Sequence, residues 1–87
     1  MPIDAVAGLD REHLRHLLAE TIDADVADVG DDTDFVHTLG VDSLMALEVV
    51  VVLERTYGIK FTEAEMSTVR TLDSAYETVR GKLVERP

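Results

Sequence analysis

The sequence predicts an all-α fold, a small bundle of three longer helices and one short one, with a long acidic loop between the first two. Three observations carry this. Apolar residues recur at helical spacing, i, i+3, i+4 and i+7, in separate stretches of the chain. Those stretches begin behind side chains that cap helices well, Asp10, Asp42 and Thr71. The chain has 87 residues, 46% of them hydrophobic and none of them Cys. Packed aliphatic side chains must therefore hold it together without a disulfide, and a single domain over residues 1–87 is the expectation.

Taken in order, residues 1–8 read as a loose lead-in, and a helix follows over about 10–22. Asp10 is its N-cap, and Leu9 and Leu14 stand at the two positions of a hydrophobic staple. Leu14, Leu17, Leu18 and Ile22 supply its apolar stripe. Residues 23–41 form the acidic loop, with Asp23, Asp25, Asp28, Asp31, Asp32 and Asp34, punctuated by Gly30 and Gly40. Val26, Val29, Phe35, Val36 and Leu39 imply that it packs down on the bundle. A loop of this length inside a small domain needs a functional reason.

The second helix is expected over 43–57, between Asp42 as N-cap and Gly58 at its C-terminal end. Ala46, Val49, Val50, Leu53 and Tyr57 share one face. Val49–Val52 is β-branched and would suit a buried strand. Fifteen residues without Gly or Pro exceed a strand's usual length, which decides for helix. Thr62-Glu63-Ala64-Glu65 is a capping box that opens a short third helix over 63–67, including Met66. The last helix, about 72–84, carries Leu72, Ala75, Tyr76, Val79 and Leu83 on one face. Asp73 stands in its first turn and Arg80 and Lys82 in its last, each matching the helix dipole.

Charge narrows the function classes. Eight Lys and Arg against 18 Asp and Glu leave a net charge of −10. Such a surface repels phosphate backbones and anionic lipid, so neither nucleic acid nor membrane is expected as a partner. Proteins with basic docking patches are favoured, approached by electrostatic steering. The longest aliphatic run, Val49 to Leu53, is far too short to span a bilayer. The start, Met1-Pro2-Ile3-Asp4, lacks the pattern of a secretory signal. With the absence of Cys this sets a cytoplasmic location as the expectation. Met1 and the short flanks favour a stand-alone protein, with an excised domain of a larger protein as the alternative, and a monomer suits a shuttling role.

Few residues offer chemistry. Counted from Asp23, the acidic loop places Ala27 and Asp28 at the fifth and sixth positions of an EF-hand, where a ligand and a glycine belong, so that pattern fails. A solvated charged loop is the better reading, and no metal site is expected. His13, His16 and His37 stand in no zinc-ligand spacing and read as surface residues. Ser43 is the informative residue. At the first position of the second helix its hydroxyl is exposed, beside unpaired backbone N–H groups and the positive end of the dipole, a setting that suits a phosphodiester. The same residue could equally be an ordinary helix-start serine. A nucleophilic serine fits less well: Val41 stands where a Gly-Asp-Ser-Leu esterase has glycine, and Met45 breaks the Gly-x-Ser-x-Gly elbow.

Leu39-Gly40-Val41-Asp42-Ser43-Leu44, set between a long acidic loop and a helix in an acidic helical chain, resembles the acyl carrier proteins. The resemblance covers most of the chain. It implies a non-catalytic carrier in which Ser43 bears 4′-phosphopantetheine, transferred from coenzyme A by a separate phosphopantetheinyl transferase. Acyl groups would ride on the arm's thiol as thioesters to a ketosynthase, an acyltransferase or other biosynthetic enzymes. Asp42, Leu44, Met45, Glu48 and Glu54 would then meet those partners. Phe35, Val50, Leu53, Met66, Val69 and Ala75 would line a space for the acyl chain, or simply fill the core. Met45 and Arg55 replace acids usual in fatty-acid-synthesis carriers, and Asp-Ser-Leu-Met-Ala-Leu-Glu looks more like the carriers of polyketide synthases. A discrete carrier of a polyketide or related specialised pathway is the expectation. The alternatives are a peptidyl or aminoacyl carrier, a housekeeping fatty-acid carrier and an unmodified acidic interaction module.

Overall fold

Asp10 turns the chain into its first helix, its carboxylate accepting the His13 N–H at 3.1 Å. The computed structural model describes residues 9–85, so the lead-in expected over residues 1–8 lies outside the described residues. Four α-helices follow: α1 (Arg11–Thr21), α2 (Ser43–Tyr57), α3 (Glu63–Met66) and α4 (Leu72–Glu85). No strand occurs among the described residues, and none of their helices is long and apolar enough to cross a membrane.

The stripes meet in one core. Leu9 and Leu14, the staple pair, are fully buried, and Leu18, Val49, Val50, Leu53, Leu72, Ala75 and Val79 pack with them. Helix α1 lies against both α2 and α4, and α2 also touches α4. The β-branched run in α2 is tolerated because Val49 and Val50 face this core, where burying each side chain is worth about 1.5–3 kcal/mol. Gly58 closes α2 in the left-handed region at φ +65°, a conformation that costs glycine nothing.

The loop between α1 and α2 is tied down by polar contacts as well as by apolar ones. Val29, Phe35 and Val41 are buried. Asp25 accepts the Ala27 N–H at 3.1 Å and starts a single 3-10 turn, Val26–Asp28. Arg15, on α1, donates to the Val29 carbonyl, to Asp31 at 2.6 Å and to Glu12 at 2.9 Å. The Asp31 carbonyl accepts the Asp73 N–H, and Arg70 pairs with Asp34 at 3.1 Å. Arg11 reaches α4 through an ion pair with Asp73 and stacks on Tyr76. The acids of this loop are therefore partly consumed as caps and clamps. Val36 departs from expectation. Asp34 accepts both the Val36 and His37 N–H groups at 2.9 Å, and this Asx-type turn directs the valine outward, 45% exposed.

Helix α3 is held differently. Its capping box is complete, with Glu65 N–H on Thr62 and Thr62 N–H on Glu65, yet none of its four residues is buried. It ends one residue before the expected 67, with Ser67 as its C-cap. Lys82 on α4 reaches Glu65 at 2.6 Å, so this last-turn cation serves an inter-helix pair rather than its own dipole alone. Arg80 lies a turn before the end of α4 instead of in its last turn. Thr71 caps α4 as expected, accepting the Ser74 N–H at 3.0 Å.

Candidate functional site

Ser43 is placed by the residues before it. The Phe35 carbonyl accepts the Val41 N–H at 3.0 Å, and the Phe35 N–H donates to the Arg70 carbonyl at 2.8 Å. Buried Val41 pins this stretch to the core. Gly40 makes the preceding bend at φ +68°; no atom lies within 4 Å of where a Cβ would stand, so backbone conformation rather than space calls for glycine there. Asp42 then starts α2, its carboxylate accepting the Met45 N–H at 2.9 Å and its carbonyl the Ala46 N–H at 2.9 Å. Ser43 is the first residue of the helix and is exposed.

No side chain hydrogen-bonds the Ser43 hydroxyl among the described residues. Two clefts open beside it. One, about 270 Å³, is lined by Ser43, Ala46, Leu47, Val50, Glu63, Met66 and Ser67. The other, about 460 Å³, shares Ser43, Ala46, Met66 and Ser67 and continues past Val36, Val41, Val69 and Arg70. A group bonded to this hydroxyl thus has solvent on one side and largely apolar walls on the other. Apart from the capping Asp42 carboxylate, the first turn of α2 contains no acid, and its positive end suits a negative phosphodiester. No three His, Asp or Glu side chains gather as metal ligands among the described residues.

The other residues singled out in the sequence separate into groups. Val50, Met66 and Val69 line the two clefts, whereas Phe35, Leu53 and Ala75 are packed in the closed core. Ala46 and Leu47, not picked out as pocket residues, are cleft walls; their positions three and four residues after Ser43 placed them on its side of the helix all along. Asp42, Leu44 and Glu48 are exposed around or beyond Ser43, and Met45 is half-buried against the core. Glu54 behaves otherwise. It is half-buried and accepts the Phe61 N–H at 2.8 Å, anchoring the connection to α3.

A small helical bundle that presents one exposed serine at a helix start, between apolar clefts, has the architecture of a carrier domain. Comparison with known proteins gives the family. The profile described as "Phosphopantetheine attachment site" matches residues 12–79. The chain is 48% identical over 83 residues to the Polyketide-8 synthase acyl carrier protein 2 of Streptomyces avermitilis, covering 95% of each. It is 44% identical to the Anthracycline acyl carrier protein DpsG of Streptomyces peucetius, and 42% to the Anthracycline acyl carrier protein DauA of Streptomyces sp. strain C5, each match covering 84% of both chains. The chain belongs to the acyl carrier proteins, the phosphopantetheine-bearing family. Its cofactor is phosphopantetheine, and its role is that of a non-catalytic carrier serving biosynthetic enzymes.

Proposed function

We propose that this one-domain protein holds acyl intermediates of a polyketide pathway as thioesters on a 4′-phosphopantetheine arm at Ser43. The observation that carries the attachment point is the Ser43 hydroxyl itself: exposed, first in a fifteen-residue helix, hydrogen-bonded to nothing among the described residues and opening onto two clefts. The arm supplies the thiol that a chain without cysteine lacks. Asp42 holds the helix start, Ala46, Leu47, Val50 and Met66 offer apolar walls beside the site, and Leu44 and Glu48 stand outward where partners can reach them. The polyketide assignment draws on Met45 and Arg55, which leave α2 less acidic than in fatty-acid-synthesis carriers, and on its similarity to polyketide and anthracycline carriers. A separate phosphopantetheinyl transferase would load Ser43, and a ketosynthase and an acyltransferase would be the later partners. Alongside such enzymes it would work in the cytoplasm.

Intact-mass spectrometry tests the attachment. After incubation with coenzyme A and a promiscuous phosphopantetheinyl transferase, the protein should gain a single phosphopantetheine, and Ser43→Ala should gain none. No gain on folded protein, or an equal gain in the variant, rejects Ser43. The pathway is tested by partner exchange. Elongation by housekeeping fatty-acid enzymes together with silence towards polyketide ketosynthases would overturn the polyketide reading.

A further inference from the structure

We propose, resting on the carrier reading, that the Arg70 guanidinium binds the phosphodiester joining the arm to Ser43 and so holds the root of the arm against the cleft. Ser43 and Arg70 border the same cleft of about 460 Å³. Among the described residues Arg70 is the only lysine or arginine on the walls of either cleft beside the serine. The other charged wall residues are acids, Asp42 in the larger cleft and Glu63 in the smaller. A phosphodiester on Ser43 therefore adds negative charge beside carboxylates, on a chain that already carries −10. The one cation on those walls offsets this repulsion, and its planar fork matches phosphate oxygens in geometry as well as in charge.

The guanidinium is both placed and available. The Arg70 N–H donates to the Thr68 carbonyl at 3.0 Å and to the Ser74 hydroxyl at 3.1 Å, and the Arg70 carbonyl accepts the Phe35 N–H at 2.8 Å. The Phe35 carbonyl in turn holds Val41, two residues before Ser43. One residue thus ties the base of the cation and the approach to the serine into a single frame. The side chain donates once, to Asp34 at 3.1 Å, whereas a guanidinium has five N–H donors. Asp34 does not depend on that bond, because its other oxygen accepts the Val36 and His37 N–H groups at 2.9 Å. The carboxylate is a fixed post that orients the guanidinium and leaves most of the fork open. Arg15, by contrast, commits its donors to Glu12, Val29 and Asp31. A carboxylate carried at the tip of the arm is the weaker occupant. It reaches Arg70 only by ordering the whole flexible arm, while the phosphodiester is bonded directly to a residue of the cleft wall.

The test is phosphorus and nitrogen NMR on isotope-labelled protein, loaded from coenzyme A by a promiscuous phosphopantetheinyl transferase and checked by intact mass. Loading should shift the Arg70 Nε–H resonance and leave that of Arg55, in the last turn of α2, where it was. In loaded Arg70→Gln the phosphorus line should narrow at least about twofold, because the anion then moves with the arm instead of with the bundle. The Asp34–Arg70 pair is partly exposed and contributes little to stability, so this variant should melt close to the parent. The Arg70 resonance is read on the unaltered sequence and decides the matter even if Arg70→Gln does not fold. A confirmed mass gain with an unmoved Arg70 resonance, or with equal phosphorus lines in parent and folded variant, overturns the proposal and leaves the carrier reading intact. A shift absent with the bare arm that appears only when the thiol carries malonyl also overturns it, since the anion bound is then the cargo carboxylate. No mass gain on folded protein rejects Ser43 as the attachment point and this inference with it.

Discussion

The two connections that flank α2 are secured in opposite ways. The one before it, residues 23–41, is long, acidic and almost free of regular structure, yet Arg15, Arg70 and the Phe35 backbone fasten it to α1 and to the start of α4. The segment after it contains a real helix, α3, that buries none of its own residues. Its anchors are the flanking side chains Phe61 and Val69, the Glu54 bond to the Phe61 N–H, and the Lys82–Glu65 pair. Regular structure is thus a poor guide to attachment here: the irregular segment is clamped and the helical one rests lightly. The clefts beside Ser43 are walled by α2 on one side and by α3 and the residues after it on the other. The lightly held wall is the one that can yield.

Leu53 lies under both regions and sets the scale for the comparison. It is wholly buried, so Leu53→Ala should cost about 2–5 kcal/mol in chemical denaturation, with hydrogen-exchange protection falling in α1 and α4 as well as α2. A loss confined to α3 would break the picture of one shared core. Removing a clamp should act more locally. Arg15→Ala leaves the Val29 carbonyl and Asp31 without their donor, an expected loss of about 1–3 kcal/mol, with exchange accelerating at 26–35 while α3 is unchanged. Equal acceleration in both segments would mean that they are not independently secured.

The smallest effect belongs to α3. The Lys82 ammonium, helped by the Thr62 N–H, holds the Glu65 carboxyl below the usual glutamate value. The unfolded chain therefore takes up this proton first. The contribution of the pair is complete above the ordinary glutamate pKa and is lost as pH falls through the lowered native value. Because the carboxylate is solvated, the expected sign is a modest, local one: α3 amides lose protection on acidification before those of α1 do. Lys82→Ala should return the Glu65 titration, followed by side-chain carboxyl NMR, towards the ordinary value. An unmoved titration would transfer the stabilisation of Glu65 to the capping box alone.

Much of this was legible in the sequence because it is local. Asp10, Asp42, Thr62 and Thr71 cap helices through bonds spanning three residues, and the stripes behind Asp10, Asp42 and Thr71 are the buried faces. Ser43 stood out for the same reason, since a helix start is fixed by its immediate neighbours. What escaped depends on long-range contact. Arg15 serves residues 14 and 16 positions away, and nothing in the loop's composition announces that its acids have fixed partners. Glu54 belongs to the polar side of α2 by register alone. Its inward role follows from a buried Phe61, whose N–H needs an acceptor where helix has ended and no strand begins. Periodicity also could not separate core from cleft: Phe35, Leu53 and Ala75 fill the first and Val50, Met66 and Val69 border the second, although all six are apolar.

The doubly bonded Phe35 backbone has a mechanical meaning. One residue grips the approach to Ser43 through Val41 and the entrance to α4 through Arg70. The stretch leading to the serine is in effect a bracket bolted to the chassis, with no slack to pay out. Whatever is bonded to that hydroxyl pivots about an origin that stays put in the frame of the bundle. Reach is then set by the length of the attached arm alone, and aim by how the entire body turns when it meets an enzyme.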